Sequence, residues 1–156
     1  PLSELERDWA GSHDDEDFTQ LLARCHDQRS VLYESVRDSF ACQVRAETLP
    51  AVLGEAASRD SATTLCIGNQ GVRLCMTAPW SSPRWQGNHC HLAHNGALVS
   101  LDMSQMHSLW RLRKPGEGQV VTALEALDEQ GDWLWTLSAG EGEASWRELL
   151  RDSVIR

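Results

Sequence analysis

Hydrophobic positions in this chain change period along its length, and each change predicts a different element. From Asp14 to Cys25 the apolar residues Phe18, Leu21, Leu22 and Cys25 recur at three- and four-residue spacing, which predicts a helix. Its acidic opening, Asp14-Asp15-Glu16-Asp17, suits the positive end of a helix dipole. Ser30 predicts a cap for a short second helix through Val31, Leu32 and Tyr33. Thr48-Leu49-Pro50 predicts a third helix, with Thr48 as cap, Leu49, Val52 and Leu53 on one face, and helicity running towards Ser58.

After Arg59 the pattern shortens to that of strands and turns. "ATTLCI-GNQG-VRLCMT" reads as two β-rich runs around a turn, and "LAH-NG-ALVSL" carries Asn95-Gly96, a strong short hairpin signal. "VVTALEAL-DEQG-DWLWTL" repeats the scheme. "MHSLWRLR" alternates, with Met106, Ser108, Trp110 and Leu112 on one side and His107, Leu109, Arg111 and Arg113 on the other, and Lys114-Pro115-Gly116 is expected to stop it. From Glu143 to Ile155 the helical period returns, with Trp146, Leu149, Leu150 and Val154 on one stripe. Helices, then hairpins, then a closing helix predict an α+β fold on a large antiparallel sheet, in one domain spanning 1–156.

Composition narrows the class. At 41% hydrophobic and 24% charged, the 156 residues are those of an ordinary globular domain. No apolar run approaches the roughly 20 residues that span a bilayer, and "PLSELERDWA" lacks the basic flank and apolar stretch of a signal peptide. We therefore expect a cytoplasmic protein with no membrane partner. Pro1 in place of methionine leads us to expect a chain processed or excised from something longer. The cysteines, Cys25, Cys42, Cys66, Cys75 and Cys90, are odd in number and scattered, so free thiols in a reducing compartment are expected. A net charge of −9 argues against a nucleic-acid partner. It also means that a small anion needs a local basic pocket.

Three groups suggest chemistry. His89, His91 and His94 flank Cys90 in "GNHCHLAHNG"; on a strand His89 and His91 share a face and His94 takes the other, a poor start for four-coordinate zinc. Trp133 and Trp135, two apart on one strand, are expected to share a face and, with Trp110, to offer an aromatic wall to a planar ligand. In "WRLRKP", Arg111 and Arg113 share a face beside Lys114, a patch suited to neutralising a dianion.

Taken together, "LWRLRKPGEGQVVTALEALDEQGDWLWTL" resembles the V-W-x-V-R-K-P-x-x-x-G-x-V-T-S-L-E-x-F-D-x-x-G segment of the HemS/ChuS/PhuS family of bacterial haem-utilisation proteins. "IGNQG", "WRELL" and "DDEDFTQLLARCHDQR" resemble that family's V-G-N-R-G turn, closing W-R-x-L helix and D-V-H-x-F-x-x-L-L helix. The chain is similar to a single repeat, the second of a usual tandem pair, and more distantly to the single-repeat ChuX/HutX proteins. The resemblance implies haem as cofactor, and either a homodimer or a second repeat as partner. It implies Arg29 and Lys114 on the haem propionates; the aromatic wall, with Trp135 in it, is then expected against the macrocycle. The family's axial histidine aligns with Glu16, so the resemblance leaves the iron to His13, His26, a residue facing in from the sheet such as His107, or a partner subunit. A haem carrier in iron utilisation is the expected function. A haem-degrading enzyme, or a dimerising domain that has lost haem, stands as the alternative.

Overall fold

The structure is a computed structural model that describes residues 1–68, 71–115 and 118–156. Asn69, Gln70 and Gly116, named in the turn and strand-stop readings, lie outside the described residues. Three helices open the chain: α1 (Glu4–Ala10), α2 (Asp15–Ala23) and α3 (Arg29–Glu34). Strand β1 (Ala41–Val44) and helix α4 (Thr48–Ser58) follow, then β2 (Thr63–Gly68) and β3 (Arg73–Ala78). A group of three short strands comes next, β4 (Arg84–Gln86), β5 (His89–His94) and β6 (Ala97–Asp102). The long strands β7 (Ser108–Pro115), β8 (Val120–Leu127) and β9 (Trp133–Ala139) lead to the closing helix α5 (Glu143–Ser153). This is the expected α+β arrangement.

The main sheet has the order β1-β7-β8-β9-β2-β3, and every pairing in it is antiparallel. Strands β4-β5-β6 form a separate small sheet. Alternation along β7 sends Trp110 and Leu112 to one side, where they join Trp9, Leu21, Leu32 and Tyr33 beneath α1, α2 and α3. Leu109 goes to the other side, into a larger core with Leu124, Leu137 and Trp146. That second core is closed by α4, α5 and the small sheet, whose Cys90, Leu92, Val99 and Leu101 point into it.

The helix ends explain several differences from the sequence reading. Helix α1 was not anticipated, although Ser3 and Glu6 form a reciprocal capping box ahead of the buried Trp9. Asp14 caps α2 by accepting from the Asp17 amide at 2.9 Å. Ser30 is not the cap of α3; Gln28 holds that place, without a side-chain cap. Thr48 lies inside α4 rather than capping it, and its hydroxyl ties down the chain end by accepting from the Ile155 amide at 2.8 Å. The β7 strand ends at Pro115, which pairs with Val120, within the Lys114-Pro115-Gly116 stop.

Two further expectations are corrected. Cys66 and Cys75 are direct partners across β2 and β3 and are joined as a disulfide, so only Cys25, Cys42 and Cys90 are free, all buried. Trp133 and Trp135 do not share a face. A bulge pairs Leu127 with Trp133 but the adjacent Ala126 with Trp135, so the extra residue, Leu134, turns the two indoles to opposite sides. Trp135 is buried in the core under α5, away from the helix-bearing face.

Candidate functional site

On the helix-bearing side of the sheet, adjacent strands bring Lys114, Glu125 and Thr136 into one neighbourhood, and α3 lays Arg29 and Tyr33 over it. Glu125 is the centre. Its side chain is 1% exposed, and one oxygen accepts from Arg29 Nη1 at 2.8 Å and, over a shorter distance, from the Tyr33 hydroxyl. The other oxygen accepts from Thr136 Oγ1 at 3.1 Å and lies 4.0 Å from Lys114 Nζ. Trp133 Nε1 donates to Thr136 Oγ1 at 2.7 Å, which ties the indole to the same network.

Aromatic rings flank the two cations. Lys114 Nζ sits 4.0 Å from the centroid of the Phe18 ring. The Arg29 guanidinium lies 5.6 Å from the Phe18 centroid and 5.8 Å from that of Trp133. Both distances fall within cation–π range. The turn between β8 and β9 holds α3 in place. Asp128 accepts from the Gln130 and Asp132 amides, both at 2.9 Å, and Gly131 follows with φ +82°. A Cβ on Gly131 would meet Ser30 Oγ at 2.1 Å, so glycine lets the turn press against the residue next to Arg29.

Charge here is closely balanced. Burial pushes the Glu125 carboxyl up, but Lys114, Arg29 and the donated hydrogen bonds outweigh it and leave the group below the usual carboxylate range. Burial pulls Lys114 below an ordinary lysine despite the attraction of Glu125. Arg29 ends above its usual value because Glu125 and Tyr33 overcome the burial cost. Burial and the neighbouring Glu125 charge hold the Tyr33 phenol well above normal, so it is a hydrogen-bond donor.

Of the residues singled out from sequence, Arg29 and Lys114 meet at this cluster, with Trp133 in the place expected of Trp135. Glu16 lies in the exposed first turn of α2. His13 is exposed just before that helix, where its amide donates to Asp17 at 2.9 Å. His26 is exposed between α2 and α3 with φ 58°. His107 is exposed just ahead of β7. His89 and His91 stack on one face of β5, with centroids 6.2 Å apart, and His91 Nδ1 is 2.7 Å from Ser100 Oγ. Among the described residues no group of three or more His, Cys, Asp or Glu side chains could hold a metal ion. Glu125 had no role in the sequence reading, yet its signal was visible: it is the one charge in the otherwise apolar run Ala123–Leu127.

Two cations are thus gathered on one buried carboxylate, beside aromatic rings, on one surface of an α+β sheet. Residues 27–152 match the model of the haemin-degrading HemS/ChuX domain, and the chain belongs to that family. Among solved structures it is similar to ChuS, an E. coli heme oxygenase, at 22% identity and TM-score 0.90, covering 97% of this chain and 48% of that one. Apo-PhuS, a heme-binding protein from Pseudomonas aeruginosa, matches at 25% identity and TM-score 0.88, covering 96% of this chain and 45% of that one. The heme-binding protein ChuX shares the fold at 10% identity and TM-score 0.71, with 95% and 92% covered. The chain thus spans about half the length of ChuS and PhuS and nearly the whole of ChuX. No curated protein matches the chain.

Proposed function

We propose that this domain binds haem on the helix-bearing face of its sheet and serves as a carrier in haem utilisation. The observation that carries the reading is the convergence of Arg29 and Lys114 on Glu125 between Phe18 and Trp133. Two cations against one carboxylate leave positive charge for the propionates, and the rings supply apolar contact for a macrocycle. Bound haem would supply the iron chemistry; this chain's own residues would orient its anionic edge. Membership of the HemS/ChuX family and the likeness to heme-binding PhuS support the same reading.

For the iron, Glu16 holds the family's histidine position, with His13 three residues before it and His26 beyond the other end of α2, all three exposed. None is held in place by the cluster around Glu125, which favours carriage over ring opening, because turnover depends on a fixed axial ligand. A second copy of the chain, or a second repeat, would complete the ligand set and make a pair of the kind a tandem protein contains. No helix among the described residues is long and apolar enough to cross a membrane. A cytoplasmic site of action is part of the proposal.

Haemin titrated into the protein should give a saturable, red-shifted Soret band that stays stable when ascorbate is added. Green verdohaem or biliverdin colour would replace the carrier with the degrading enzyme. A titration with no shifted band would leave the fold without its haem.

A further inference from the structure

The opposite side of the sheet carries a second basic site that the haem reading does not use. Here α5 crosses β1, β7 and β8 and leaves a cleft of about 1060 Å³, a volume suited to a small-molecule ligand. Arg111 and Arg113 rise from its floor, Arg147 and Arg151 line it from α5, and Arg156 closes one end. Two carboxylates, Asp38 and Glu148, share this lining with the five arginines. Elsewhere the charge runs the other way, since the whole chain carries −9.

Not all of these guanidiniums are spent on the protein. Arg111 donates to the Asp38 carbonyl at 2.6 Å, and Arg156 reaches the Asp38 carboxylate at 2.6 Å. Arg147 and Arg151 come only within 4.0 Å of Glu143 and Asp152. The Arg113 guanidinium makes no ion pair or hydrogen bond among the described residues. Burial, Arg111 and Arg147 all depress its ordinary affinity for a proton, the mark of crowded like charges. A second, independent sign is Thr122, directly across from Arg113 on β8. It is 3% exposed, it lines the cleft, and its hydroxyl has no hydrogen-bond partner among the described residues. A buried hydroxyl beside the unpaired Arg113 guanidinium is an unfilled set of donors, and the buried member costs stability until an acceptor arrives.

We propose that this cleft is a binding site for a small polyanion carrying at least two phosphate or carboxylate groups, held by Arg113 and Arg147 with Thr122 as the neutral donor. Arginine forks suit such groups because each presents paired donors to two oxygens at once. The site lies on the face of the sheet opposite Arg29 and Lys114, so it is separate from the haem face.

Calorimetric titration of the full chain with pyrophosphate and with citrate, at matched ionic strength, tests this, and the better ligand of the two distinguishes phosphate from carboxylate recognition. Saturable binding is expected in at least one arm, weakened by about tenfold or more in Arg113→Gln and in Arg147→Gln. Arg84→Gln, an exposed arginine on the small sheet, should leave it unchanged. Without ligand, the Arg113→Gln protein should melt at the same temperature or higher, because a like charge has gone. Absence of saturable binding to either probe, or binding equal in wild type and both cleft variants, overturns the proposal.

Discussion

Glu125 decides what the helix-bearing face can do. It is fully enclosed, yet it stays ionised because Arg29, Lys114, Tyr33 and Thr136 all face it. Replacing it by Gln strands two cations, each at least two-thirds buried, beside a neutral amide, and should cost about 3 kcal/mol in urea unfolding. The pH dependence has a definite sign. A carboxyl held below its unfolded value, near 4.5, contributes stability above that pH and loses it as pH falls through the lower folded value. Wild type should therefore lose stability as the pH falls below about 4.5, with a shallower slope in Glu125→Gln. Parallel slopes in the two proteins would mean that Glu125 is already protonated. The two tryptophans make a paired test. Trp135→Ala empties the core under α5 and should cost about 3–5 kcal/mol. Trp133→Ala removes a half-buried indole and should cost clearly less while disturbing the Arg29 side chain.

At the scale of elements, most of the helices and hairpins were legible because their periods are clean: the stripe of Phe18 and Leu21, the turn at Asn95-Gly96, and the stripe of Trp146, Leu149 and Leu150 all appear where the pattern puts them, although α2 ends at Ala23, short of Cys25. What was not legible depends on pairing rather than period. The bulge at Ala126/Leu127 exists only between two strands, and no alternation within β9 alone reveals that Trp133 and Trp135 part company. Likewise Cys66 and Cys75 become neighbours only through the β2–β3 register. Ser30 and Thr48 were read as caps because both residue types favour that position. Tertiary partners, Gly131 for one and the Ile155 amide for the other, claim them instead. The Gly131 turn yields a prediction of its own. Gly131→Ala should lower the melting temperature and weaken haemin binding together, since α3 must shift from Ser30 outward and carries Arg29 with it. An alanine variant with full stability and full haemin affinity would show that the turn does not position α3.

Over the whole molecule, the sheet separates two basic sites. Arg29 and Lys114 lie under the N-terminal helices, while Arg111 and Arg113 lie under α5, although three of these four stand within four residues of one strand. The sequence reading placed the "WRLRKP" charges in one patch; strand alternation divides them, sending only Lys114 to the helix-bearing face. This division makes the central claim testable by removing charge from one side alone. Haemin titrated into wild type and into the Arg29→Gln/Lys114→Gln double variant, read at the Soret band, is the direct measurement, with Arg84→Gln as the surface-charge control. The account predicts a saturable shifted band in wild type and in the control, and an affinity lower by about tenfold or more in the double variant, the loss expected for charge-assisted propionate contacts. Equal affinity in a folded double variant, or no shifted band in wild type, would contradict it.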